Sequence, residues 1–156
     1  MNNKYFPEEA ISENDLYFVC YMIERVARKI HQRNKYVVEA LGWENLWHLL
    51  SVAGVLHSEN PTKVEQDWIN DYQLSEGNFY ISDINKELAT IIPSEIQMGR
   101  VYKRLILNTK TQDEDYAHAI LRIYTDPICE TIDNYNCSAF YEPSYVQARA
   151  YFNGQF

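Results

Sequence analysis

Leu16, Val19, Cys20, Ile23, Val26, Ala27 and Ile30 recur at steps of three and four residues. A helix can bury them as one stripe, leaving Glu24, Arg25, Arg28 and Lys29 on the other face. A strand cannot, because alternation by two would turn part of that stripe toward water. Ser12 ahead of the stripe is a capping residue, and Glu13 and Asp15 suit the positive end of the helix dipole. The pattern predicts an amphipathic helix running to Arg33, and it sets the terms for what must pack against it.

The rest of the chain reads the same way. NKYVVEALG predicts a short second helix that Gly42 stops in a left-handed cap. WENLWHLLSVAGVLH predicts a third, with Leu46, Leu49, Leu50, Ala53 and Leu56 inward. Asn60-Pro61 opens a fourth, placing Val64, Trp68 and Tyr72 on one face. GNFYISDI supplies at most one short extended segment near residues 78–84, and a lone strand has nothing to pair with. Pro93-Ser94 restarts helical periodicity through Ile96, Val101 and Leu105. Asp113 is placed to cap EDYAHAILRIYT, Asp126-Pro127 opens a short helix aligning Ile128, Ile132 and Tyr135, and Glu142-Pro143 opens a last one that Gly154 ends. The fold class is all-α, a compact bundle of about seven helices. A flexible start (1–12), an N-terminal helical module (13–73) and a C-terminal helical extension (74–156) form one structural unit.

Hydrophobic residues make up 46% of the 156, enough for a real core. The 14 Lys and Arg against 22 Asp and Glu leave a net charge of −8. That field repels phosphate backbones and draws in a basic protein partner, so nucleic acid is disfavoured. Cys20, Cys129 and Cys137 show no CxxC spacing. A Cys129–Cys137 disulfide is open to the chain, and reduced thiols in a cytoplasmic protein are the simpler expectation. No leader pattern and no membrane-length apolar run occurs. No glycine-rich phosphate loop, nucleophile elbow or zincin motif calls for a cofactor, and His31, His48, His57 and His118 are too scattered for a metal site.

Within residues 16–72, "LYFVCYMIE" is followed by "WENLWHLLSVAGVLH" and then "VEQDWINDY". The residues Phe18, Val19, Tyr21, Ile23 and Glu24, then Val55, Leu56 and His57, resemble a family of small uncharacterised bacterial proteins. Its members are often encoded beside ADP-ribosyltransferase-like toxins. The resemblance implies an accessory or antitoxin-like role, and residues 75–156 extend beyond its pattern.

Two groups of residues stand out for function. Arg25, Arg28 and His31 resemble the arginine–histidine motif of small helical nucleases, in which arginine holds a phosphate and histidine moves the proton. Alternatively they form a solvated basic face. "IDNYNCSAFYEPSYV" (132–146) and the residues after it carry Tyr135, Asn136, Tyr141, Tyr145 and Tyr151. Tyrosine offers large contact area at low entropic cost, which suits a binding surface. The competing expectation is that this segment folds over Trp43, Trp47 and Trp68 and completes the core. The leading expectation is a non-enzymatic protein-binding module, antitoxin-like or accessory, with a basic or toxin-like partner. A small helical ribonuclease or nucleotide-processing enzyme using Arg25 and His31, and a structural homo-oligomer, are the alternatives.

Overall fold

The N-terminal stripe does form a helix, α1 (Glu13–Lys29), entered through a capping box. Asp15 N donates to Ser12 Oγ at 3.2 Å, and Ser12 N donates to Asp15 Oδ2 at 2.8 Å. The computed structural model describes residues 1–88 and 91–156. It continues with α2 (Asn34–Leu56), α3 (Pro61–Asp71), α4 (Glu95–Thr109), α5 (Tyr116–Tyr124), α6 (Pro127–Ile132), a 3₁₀ turn (Ala139–Tyr141) and α7 (Ser144–Asn153). The described residues are seven α-helices with no strand or sheet, so the all-α class stands.

α1 is the central helix. It packs most extensively on α4 and then on α2 and α3; α5 lies on α2 and α4, and α7 lies on α4. The α1–α4 approach depends on Gly99, where a Cβ would come within 3.0 Å of the Tyr21 Cα. A side chain there would have to push two helix backbones apart. The core that results holds Leu16, Met22, Ile23, Leu46, Leu105 and Ile120, all fully buried.

Several local expectations shift. The second and third predicted helices are one element broken at Gly42, whose φ of 75° and ψ of 172° lie outside helical space. The glycine turns the chain as expected, but ψ is too large for a left-handed helical cap. The cap of α5 is Asp115, not Asp113, because it is Asp115 whose Oδ1 accepts from His118 N, at 2.7 Å. α7 begins after Pro143 with no side-chain cap. Ile96 is exposed, while Met98, Tyr102 and Leu105 form the buried face of α4. Residues 74–80 are an irregular connector and form no strand, and Phe79 N donates to the His31 carbonyl just after α1 at 2.8 Å. Residues 1–12, expected to be flexible, carry defined contacts: Asn3 is buried, and its Oδ1 accepts from Tyr5 N and Phe6 N, each at 3.0 Å.

Glu24 is the largest correction. Sequence periodicity puts it on the solvent face of α1, yet it is 3% exposed. An amphipathic stripe shows which face is most apolar, not how many neighbours a central helix has, and here elements from both ends of the chain cover the second face.

Candidate functional site

The segment 132–146 divides into a buried half and an exposed half. α6 ends at Ile132, delivering Asp133 inward at its C-terminus. Tyr102 donates its hydroxyl to Asp133 Oδ1 at 2.6 Å, and Asn34 Nδ2 and Cys129 Sγ donate to Oδ2 at 3.0 and 3.4 Å. Asn34 Nδ2 also donates to Glu24 Oε1 at 3.0 Å, and Glu24 Oε2 accepts from Arg28 Nε at 2.9 Å. Arg28 further donates to the Pro93 carbonyl at 2.7 Å and to the Tyr135 hydroxyl at 3.3 Å. One network thus ties α1, α2, α4 and α6 to the two loops that flank them. Burial, and then the neighbouring Glu24 carboxylate, push the Asp133 carboxyl up to about 7. Burial likewise pushes the Tyr135 phenol well up. Two cavities adjoin these groups: one of about 10 Å³ beside Glu24, Arg28 and Asn34, room for one water, and an open one of about 390 Å³ where Asp133 and Tyr135 meet Arg33, Phe79 and Glu130.

Beyond Tyr135 the chain is held locally. Asn134 Oδ1 accepts from Asn136 N at 3.1 Å, and Asn136 Oδ1 accepts from Asn85 N at 2.7 Å. Gln147, buried in α7, donates to the carbonyls of Ala139 and Phe140 at 2.8 and 3.2 Å. These bonds fix the 3₁₀ turn against α7, with Phe140 packed against the core and Tyr141 pointing outward. Tyr141 is 69% exposed and Tyr145 is 67% exposed. Tyr141 lies edge-on to Phe140 at 4.8 Å, which limits its rotamers. It stands between two grooves, of about 350 and 280 Å³.

The five tyrosine-segment residues therefore divide. Tyr135 is core, at 3% exposure, and Asn136 is half-buried and engaged with the connector. Tyr151 is half-buried, with the Arg122 guanidinium 5.2 Å from its ring. Only Tyr141 and Tyr145 are free to meet a partner. The segment packs on α4 and Arg28, while Trp43 and Trp47 lie under Lys4, whose Nζ is 4.4 and 5.0 Å from their rings. α7 packs on α4, two elements away from where an aromatic plug over the tryptophans would require it.

Arg25, Arg28 and His31 are engaged by three different sets of neighbours. Arg25 lies against α3, with Nε 3.3 Å from Glu65 Oε1, and donates to the Tyr21 hydroxyl at 3.1 Å. Arg28 belongs to the buried network. The His31 ring stacks on Tyr80 at 4.1 Å, with Nε2 4.0 Å from Glu76 Oε1. All three cysteines are free thiols, so no Cys129–Cys137 disulfide forms. Among the described residues no cluster of His, Cys, Asp or Glu is arranged to hold a metal, and no helix is long and apolar enough to cross a membrane.

From 96 to 112 the chain contains Arg100, Lys103, Arg104 and Lys110 and no Asp or Glu. Arg100 and Arg104, both exposed, line the groove between α4 and the Tyr141 turn. The signal was legible as a basic run inside an acidic chain. Comparison with protein-family models, with curated proteins and with solved structures returns no match for this chain.

Proposed function

We propose that this chain is a non-enzymatic protein-binding module whose contact surface is centred on Tyr141 and Tyr145. What supports this is their exposure, 69% and 67%, with Tyr141 on a turn whose backbone is pinned by Gln147 and Tyr145 in the first turn of α7. A rigidly presented tyrosine loses little entropy on binding and contributes both ring area and a hydroxyl. The net charge of −8 favours a partner of opposite overall sign. An accessory or antitoxin-like role, implied by the resemblance of residues 16–72, is compatible with such a module.

The test is capture of a partner by the tagged chain from its host, repeated with Tyr141→Ala and Tyr145→Ala together. We expect one stoichiometric partner, lost in the double variant while helical circular dichroism is unchanged. A folded double variant that keeps the partner would overturn the proposal. A wild-type dimer in sedimentation that the double variant abolishes would replace it with a self-interface.

A further inference from the structure

α4 presents Arg100 and Arg104 four residues apart on its exposed face, with Lys103 between them. Like charges at that spacing repel and cost a helix a few tenths of a kcal/mol. Six cations of this acidic chain, Lys4, Arg25, Arg28, Lys35, Lys63 and Arg122, have a carboxylate partner. Among the described residues no ion pair involves Arg100, Lys103 or Arg104. The groove that Arg100 and Arg104 line, about 280 Å³ in volume, has a single carboxylate, Glu142, and that one accepts from the Ser138 hydroxyl at 2.9 Å. Phe140 and Tyr141 form its opposite wall. Two unneutralised guanidinium groups facing aromatic rings form a recognition surface for a carboxylate next to an apolar side chain.

We infer that the groove between α4 and the Tyr141 turn seats an acidic peptide segment of the protein partner, with Arg100 and Arg104 binding its carboxylates and Tyr141 packing on its apolar residues. This rests on the protein-binding reading above and names the chemistry of the contact. The chain's overall charge does not oppose it. Screening confines each charge's influence to about 8 Å in physiological salt, so the arginines govern the groove while the distant acids govern approach. A partner can be basic as a whole and still dock through an acidic segment.

The experiment uses fluorescence anisotropy with a short labelled peptide of alternating glutamate and phenylalanine. Its counterpart with lysine for glutamate is the control. Wild type is expected to bind the acidic peptide and not the basic one. Arg100→Gln with Arg104→Gln should weaken that binding about tenfold or more, whereas Lys110→Gln should leave it unchanged. Equal binding of both peptides, no binding of the acidic peptide, or indifference to the double arginine change would each overturn the inference. The captured partner separates the two proposals. If it is lost with the tyrosine pair but kept with the arginine pair, the binding surface stands and its acidic occupant does not. If neither pair matters, both fall. A wild-type dimer in sedimentation that the arginine pair abolishes would make a second copy the occupant and overturn the acidic-partner assignment.

Discussion

α1 and α4 are the two most closely packed helices in the molecule, and both carry arginines on the face away from their apolar stripe. Their fates differ. On α1, Arg25 and Arg28 are surrounded by later parts of the chain: Glu65 from α3, the Pro93 carbonyl and Tyr135. On α4, Arg100 and Arg104 meet no acid and face an open groove. A helix whose second face is covered has to find partners for its cations inside the fold. A helix face left open can keep them for something else. The chemistry of an arginine is therefore decided less by its own helix than by what packs against the face that carries it.

Three measurements can break or sharpen this contrast. The largest effect is expected from Arg28→Ala, which leaves Glu24 buried beside Asp133 without its cation. Removing one partner of a buried pair should lower the unfolding free energy by about 3 kcal/mol, read from urea denaturation. A loss under about 0.5 kcal/mol would mean that Arg28 is no more structural than an exposed arginine.

An intermediate effect comes through Asp133, whose carboxyl is pushed up to about 7 by burial and Glu24. A carboxyl that is harder to ionise in the fold than in the open chain stabilises the fold while protonated. That contribution is complete below the open-chain value of about 3.9 and is lost as pH rises through about 7. Wild type should therefore lose stability relative to Asp133→Asn between about pH 4 and about pH 8. Parallel pH profiles for the two proteins would show that the carboxyl is not held in this way.

The smallest effect should be the stability change for Arg100→Gln with Arg104→Gln. It should lie within about 0.5 kcal/mol of zero, with a slight gain allowed because a like-charge pair is removed. A large destabilisation would place these arginines in the fold's own support.

How much of this was legible follows from the range of each interaction. Ser12, Asn60 and Asp126 act on backbone groups two or three residues away, so residue type and position together were enough to place them as caps. Asp113 and Asp115 sit two residues apart before the same helix, and type alone could not separate them. The stripe on α1 showed where the core begins, but Glu24 was misplaced because Asn34, Asp133 and Tyr135 reach it only after folding. The same holds within the tyrosine segment. Composition marked it as a surface or a core plug, and it is both, divided between Tyr135 and Tyr141 by the 3₁₀ turn. The arginines of α4 needed no structure to be noticed, only attention to a stretch from which acids are missing.

The close fit of α4 on α1 at Gly99 has a further consequence, for the order in which the molecule can form. The helix that α1 contacts most lies beyond two other helices and a long connector, so their contacts close a large loop. Closing such a loop carries an entropic cost before any contact repays it, and helical proteins rich in distant pairings fold more slowly than those built from neighbours. A chain leaving the ribosome N-terminus first makes α1 long before α4 exists. Through that interval the side of α1 around Tyr21 waits for its glycine-faced partner. Synthesis is thus the period in which this protein is most exposed to wrong associations, and binding to it then would act on a different surface from the one it presents when finished.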